Sequence, residues 1–332
     1  MTLVKLPNSP LPLSAVLTSL VSVVALCAAC PQGSSSESQE QPRPFVLLDP
    51  QESAEPSTPT TTPLRVASWN VEWLHRDNGR GNVPRDNEDY ATLKRYARKL
   101  DADVIALQEV DGPRAAARLF DPAVYDFAFS TRRSEQLVGF AYRKGLTVTV
   151  HPEVTQLQID GNRRLRRGVD ITVEQGDQRV RLLGVHLKSR CWSTPLGSNR
   201  VARGEDPDAC RTLAKQAQVL KEWADERREE ATPFMILGDF NRRLKDGESF
   251  WKSIQREEGR SDLSAPTTTE RSACKQGRYP DYIDHLVLDE TSANRTLLSS
   301  FTQQTFSRED ERRHRDTLSD HCPIRLTLFG RP

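Results

Sequence analysis

Short apolar runs recur along this chain, and several of them are followed at once by carboxylates or amides. Val104-Ile105-Ala106-Leu107 leads to Glu109, and Phe234-Met235-Ile236-Leu237 leads to Gly238-Asp239-Phe240-Asn241. The run Leu64–Val71 carries Asn70 near its end, with Glu72 just beyond. Runs of this length and composition read as buried strands. A carboxylate at the end of such a strand is costly to bury unless a cation or a hydrogen-bond donor compensates it. Any one of these residues reads equally well as a cap or a turn residue. Their repetition after separate runs argues for a shared site at the ends of several strands.

Further strands are expected over Val138–Tyr142, Leu146–Val150, Val169–Val173, Val180–His186, Ile283–Leu288 and Ile324–Leu328. Asp86 or Asn87 caps a helix in which Tyr90, Leu93, Tyr96 and Leu100 follow helical spacing, and a long amphipathic helix runs from Asp208 to Glu229. Many strands with a few interspersed helices point to an α/β or α+β sandwich with its sheets inside, formed by residues 64–332 as one domain. Asn70 and Glu72 lie two apart in a strand, so both are expected on one face. Clustered Asp, Glu and Asn are the hard oxygen donors that suit Mg²⁺ or Ca²⁺.

The N-terminus differs in kind. Lys5 precedes an apolar stretch from Leu13 to Ala29, which is short for a membrane span and suits a secretory signal over residues 1–30. Leu26-Cys27-Ala28-Ala29-Cys30 resembles a bacterial lipobox, although Cys27 stands where leucine is usual. The resemblance implies an exported bacterial protein lipidated at Cys30 and anchored to a membrane; simple secretion to the periplasm or beyond is the alternative. Residues 31–63 are rich in Pro, Ser, Thr, Glu and Gln, a composition that cannot bury enough surface to order itself, and are expected to be a disordered tether.

Four cysteines follow the leader: Cys191, Cys210, Cys274 and Cys322. Outside the cytoplasm they allow three pairings. Cys191 and Cys210 bracket a loop with Gly, Pro and Ser, and closing it is worth about 3 kcal/mol in the loop-entropy account. Cys274–Cys322 is the remaining pair, unless Cys322 is simply a small buried residue. No Cys-x-x-Cys spacing occurs after residue 30, so a structural zinc site is not expected. The balance of 47 basic and 46 acidic residues gives no strong global field for polyanions. Local clusters, Arg163, Arg164, Arg166 and Arg167, and Arg308, Arg312, Arg313 and Arg315, are either contact surfaces for a polyanion or solvated faces.

Taken in order, the motifs resemble those of the endonuclease/exonuclease/phosphatase superfamily, over Leu64 to Leu328. They are Ser68-Trp69-Asn70-Val71-Glu72, Leu107-Gln108-Glu109-Val110, Gly184-Val185-His186-Leu187-Lys188-Ser189, Gly238-Asp239-Phe240-Asn241, Tyr282-Ile283-Asp284-His285 and Ser319-Asp320-His321-Cys322-Pro323. The resemblance implies a deoxyribonuclease-I-like four-layer sandwich: two packed β-sheets flanked by helices. It implies Mg²⁺, or alternatively Mn²⁺ or Ca²⁺, held by Glu109 with Asn70 and Glu72, and Asp320 at a further metal position. Asp239 would align or deprotonate the water, Asn241 would donate to the phosphoryl oxygen, and Asp284 would fix His321. His186, with Arg166 or Arg167, would contact the phosphate. Gln136 falls near where some nucleases place a glutamate that partners a histidine. Of the other histidines, His75, His151 and His314 are expected in loops or at the surface, and His285 in a structural role on the opposite face from Asp284. Trp69 and Trp73 read as core residues.

The expected activity is therefore metal-dependent phosphodiester hydrolysis, with DNA as the substrate and no obligate protein partner. An alternative is a phosphatase or phosphodiesterase for inositol phosphates or phospholipids such as sphingomyelin. Gly238 to Arg243 resembles half of the inositol-polyphosphate 5-phosphatase signature, while Tyr282 and His285 depart from the other half. A non-catalytic surface-binding module is disfavoured because every core motif position is kept.

Overall fold

Successive side chains of a strand leave opposite faces, and in β1 (Leu64–Leu74) both faces are covered. Val66 packs with one set of buried residues; Ala67, Trp69 and Val71 pack with another. A strand buried on both faces needs a layer on each side. The computed structural model, which describes residues 62–256 and 261–329, supplies them. The expected leader, the lipidation position Cys30 and all but the last residues of the expected tether lie outside the described residues.

After β1 come α1 (Asn87–Leu100), β2 (Val104–Val110), α2 (Gly112–Ala116), β3 (Tyr125–Phe129) and β4 (Leu137–Arg143). Next are β5 (Thr147–Val150), β6 (Val169–Gln175), β7 (Gln178–His186), α3 (Pro207–Glu229) and β8 (Phe234–Asp239). The chain continues through α4 (Ser249–Ile254), β9 (Leu263–Ser264), β10 (Asp284–Asp289), α5 (Glu290–Asn294), β11 (Thr296–Gln303), α6 (Arg308–Arg313) and β12 (Ile324–Leu328). The strands form two six-stranded sheets, in the orders β11-β12-β1-β2-β4-β3 and β5-β6-β7-β8-β10-β9. β1–β2 and β7–β8 are parallel pairs, and the other neighbours are antiparallel.

Three apolar clusters build four layers. Between the sheets lie Val66, Val104, Ala106, Phe140, Leu182, Met235, Leu237, Leu286 and Leu326. On the outer face of the first sheet, Tyr90, Leu93, Tyr96 and Leu100 of α1 meet Trp69 and Leu107. On the outer face of the second, Leu213, Ala217, Leu220 and Trp223 of α3 meet Leu183, Val185 and Ile236. The sandwich of two sheets flanked by helices is thus the fold that the motifs implied. Asp86 is the cap of α1: it accepts from the Glu88 and Asp89 amides, and the Asp89 side chain accepts from the Asp86 amide.

Both expected disulfides are present, Cys191–Cys210 and Cys274–Cys322. No helix among the described residues is long and apolar enough to cross a membrane. Two histidines depart from expectation. His314 is buried against Asp89 (Nδ1 to Oδ1, 2.7 Å), and His75 is buried beside Tyr90, whose hydroxyl donates to the His75 carbonyl. Their partners are brought by tertiary contact, which local sequence does not reveal. Trp69 is a core residue, whereas Trp73 is only half-buried.

His285 is fully buried and structural. Its Nε2–H donates to the Arg242 carbonyl at 2.7 Å, and Nδ1 accepts from the Thr267 hydroxyl. Burial lowers its pKa from 6.5 to about 4. The unfolded chain therefore takes up a proton between these values that the folded chain refuses, so stability falls as pH drops through that window. The full effect is about 3 kcal/mol. Urea midpoints measured from pH 7 to pH 4 are expected to fall more steeply for the wild type than for His285→Gln.

Candidate active site

The parallel pairs bring the carboxyl ends of β1, β2, β7 and β8 to one end of the sandwich. In register, Asn70 stands beside Gln108, His186 beside Asp239, and Asp239 beside Asp284. The stripe that carries Leu182 in β7 reaches His186 by steps of two, and the stripe with Met235 and Leu237 in β8 reaches Asp239. The interior face that is apolar mid-strand is therefore polar at this end. β10 begins with Asp284, and His321 lies just before β12, so these antiparallel strands deliver their residues to the same place.

The backbone departs from strand geometry where the polar residues sit. Glu72, Trp73, Glu109 and Asn241 have φ of 46°, 52°, 59° and 52°, in the left-handed region. The ladders shift register between Asn70 and Leu74 and between Gln108 and Val110. Simple alternation, on which Asn70 and Glu72 were expected to share one face, therefore does not set the direction of Glu72. Glu72 is instead aimed by the turn itself: its amide donates to Asn70 Oδ1 at 3.0 Å, and its Oε2 accepts from the Asp320 amide at 2.7 Å. Gly238, at φ 145°, is required, because a Cβ there would lie 2.0 Å from the Val185 carbonyl oxygen.

Asp239 is the centre of the arrangement and only 2% exposed. Its carboxylate accepts from Asn70 Nδ2 at 3.0 Å, from the Asn241 amide at 2.7 Å and from Asn241 Nδ2 at 3.2 Å. His186 Nε2 lies 3.4 Å away and His321 Nε2 3.9 Å away. Asn70 Nδ2 also reaches Glu109 at 3.4 Å, and His186 Nε2 lies 3.7 Å from the same carboxylate. His321 Nδ1 pairs with Asp284 at 2.7 Å, and its Nε2 is 3.8 Å from Asp320.

Burial, reinforced by Asp284 and opposed by His321, pushes the Asp239 carboxyl up to about 7. Burial alone would lower His321, but Asp284, Asp239 and Asp320 outweigh it and hold the imidazole well above its ordinary value. Burial keeps His186 well below the ordinary histidine range, so its ring is neutral at pH 7. Its Nδ1 is buried without a hydrogen-bond partner, so no carboxylate pairs there among the described residues.

Asn70, Glu72, Glu109 and Asp320 offer only oxygen and amide groups, the donor set of a hard divalent cation. Burial and the neighbouring Asp320 carboxylate raise the pKa of Glu72. A pair of carboxyl groups in that state is relieved by a cation, so these residues fit one. The arginines expected at the phosphate have other duties. Arg166 donates to the carbonyls of His186 and Leu187, and burial lowers its pKa to about 10. Arg167 is turned away to Glu153 and Gln158, each at 2.9 Å. A run of arginines does not reveal which members will serve as struts.

Sequence reasoning missed the groups that join the two ends of the chain. Arg85 is 1% exposed and donates to the carbonyls of Val71, Glu72, Trp73 and Thr317. Ser319 Oγ donates to the Asn70 carbonyl at 2.6 Å and accepts from the His321 amide at 3.0 Å. The Cys274–Cys322 disulfide holds the residue next to His321. Arg85 stands in a polar stretch with no periodicity, and its acceptors are backbone atoms, which carry no sequence signal.

The sequence model of the Endonuclease/Exonuclease/phosphatase family matches residues 67–321. No curated protein matches the sequence significantly. Among solved structures, TDP2 from C. elegans is similar with a TM-score of 0.56 and 18% identity, over 81% of this chain and 75% of that one. A truncated Caenorhabditis elegans TDP2 is similar with a TM-score of 0.51 and 19% identity, over 81% and 98%. At such identities the likeness is one of fold.

Removing the Arg85 guanidinium strands carbonyls in the strained turn and in the loop before Ser319. Arg85→Met is expected to lower stability by about 3 kcal/mol, as unsatisfied buried polar groups do. Denaturant titration checks this, with Arg85→Lys expected to fall between the two.

Proposed function

The chain belongs to the endonuclease/exonuclease/phosphatase family and is a phosphoric ester hydrolase; from this we propose that it is an exported, metal-dependent nuclease that cleaves DNA by attack of water on a backbone phosphodiester. The observation that carries the reading is the buried Asp239, shared between Asn70 of the first sheet and the His321–Asp284 pair. Asn70, Glu72, Glu109 and Asp320 would hold Mg²⁺, with Mn²⁺ or Ca²⁺ as alternatives. A divalent ion there supplies neutralisation of charge on the phosphoryl oxygens and the leaving oxygen.

Asp239 aligns the water and accepts its proton, since a carboxyl near pH 7 is matched to that task. Asn241 donates its amide to the oxygen on which charge develops. His321, fixed in ring orientation by Asp284, presents Nε2–H to a phosphoryl oxygen. His186 adds a neutral ring facing Asp239 and Glu109.

Two observations favour DNA. Arg114 and Arg133 are exposed near the Glu109 end of β2 and have no charged or hydrogen-bonding partner among the described residues. The second half of the inositol-polyphosphate 5-phosphatase signature is not kept, since Tyr282 and His285 stand where that group has Trp and Arg. Export through a leader and anchorage at Cys30 are part of the proposal and rest on residues 1–30.

Purified full-length protein is expected to nick plasmid DNA with Mg²⁺, to stop with chelator, and to leave inositol phosphates and sphingomyelin intact. Turnover of either of those without DNA cleavage overturns the choice of substrate. Asp239→Ala and His321→Ala are each expected to lower kcat by about 100-fold or more. Losses within tenfold contradict the assigned roles.

A further inference from the structure

Beside the site, where β2 ends and β4 begins, a groove of about 510 Å³ is lined by Arg76, Asp111, Arg114, Arg132, Arg133 and Glu135 among others. We propose that this groove is a second anion subsite, which takes a phosphate of the polynucleotide strand flanking the scissile one. The proposal rests on the nuclease reading and adds to it the surface by which a polymer is told from a small ester.

Two of the segments that line the groove run on directly from site residues. Asp111 follows Glu109 by two residues, and Arg76 follows Glu72 by four. Four guanidinium groups face two carboxylates there, so the net field favours an anion. Of the two carboxylates, Asp111 is buried and engaged by the protein, whereas Glu135 is exposed at the edge. Asp111 lies 3.4 Å from Arg76 Nε and 3.5 Å from His75 Nε2, and Glu135 lies 3.9 Å from His75 Nε2.

The four arginines divide into a strut and three contacts. Arg132 donates to the carbonyls of Arg163, Arg164, Leu165 and Gln136 and to Ser134 Oγ. It ties the β3–β4 turn to the loop at 163–165, and with both terminal nitrogens engaged and its Nε buried it is not the ligand. Arg76, Arg114 and Arg133 are exposed. Arg132 also grips the backbone carbonyls of the exposed Arg163 and Arg164, so the same strut holds their stretch of main chain against the loop that lines the groove. A planar guanidinium is the fork that grips phosphate in two hydrogen bonds. A monomeric ester that fills the site at Asp239 has nothing to place in the groove, whereas a polymer carries its next phosphates across it.

The test compares full-length wild type with the triple variant Arg76→Ala/Arg114→Ala/Arg133→Ala on plasmid DNA and on bis(p-nitrophenyl) phosphate, across a series of salt concentrations. The proposal expects kcat/KM on DNA to fall about tenfold or more at low salt, with a salt dependence shallower by about 2–3 in log–log slope. Hydrolysis of the small ester is expected to stay within twofold, which also shows the variant to be folded. Unchanged cleavage of DNA with an unchanged slope overturns the groove. Loss of binding to phosphatidylserine vesicles with DNA cleavage intact also overturns it, in favour of a membrane contact. If the wild type hydrolyses the small ester but never DNA, the nuclease reading fails and the groove's assignment fails with it.

Discussion

The carboxylate of Asp239, shut between two sheets, is the interaction on which the rest of the molecule turns. A charge so deeply buried is expensive unless donors surround it. Here the donors come from both sides: Asn70 from the first sheet, Asn241 from its own strand end, and the imidazoles of His186 and His321 close by. Asn241 and His186 are local to the sheet of Asp239, but Asn70 and His321 can reach it only when the two sheets are stacked with these strand ends together. Burial that raises its pKa toward 7 would also suit it to the proton-accepting role proposed for it. The stability problem and the chemistry are therefore one problem.

That arrangement is kept by a strained backbone. Left-handed conformations at Glu72, Trp73, Glu109 and Asn241 cost about 1–3 kcal/mol each and persist only where surrounding contacts over-determine them. The contacts are visible. Arg85 holds the carbonyls of the first strained turn and of Thr317, and Ser319 holds the carbonyl of Asn70. The Cys274–Cys322 disulfide anchors the loop that delivers His321. Residues near opposite ends of the domain, Asn70 and His321, are thereby fixed in one site.

Much of this was legible in the sequence, for a physical reason. Strands buried on both faces read as short apolar runs, and polar residues at their ends stand out against them, so Asn70, Glu109, Asp239, Asp284 and His321 could be assigned to a common site. β3 and β11 were not foreseen. β3 carries Asp126 in a five-residue run, and β11 is an edge strand with Ser and Thr and several exposed positions. Alternation does not set the direction of Glu72 because the bulge there exists only in the paired sheet. Arg85 and the His314–Asp89 pair were invisible because their partners are backbone atoms or lie 225 residues away. Arg166 and Arg167 looked alike in sequence, yet one is packed inward and the other is turned to Glu153.

In the proposed mechanism Asp239 and the His321–Asp284 pair form a single catalytic unit contributed by different strands. A double-mutant cycle in kcat, using Asp239→Asn, His321→Gln and the pair together at saturating Mg²⁺, addresses this most directly. Residues that act as a unit are strongly non-additive. The double variant is predicted to be no slower than the slower single variant, within about threefold. Losses that multiply would show two independent contributions and contradict the account.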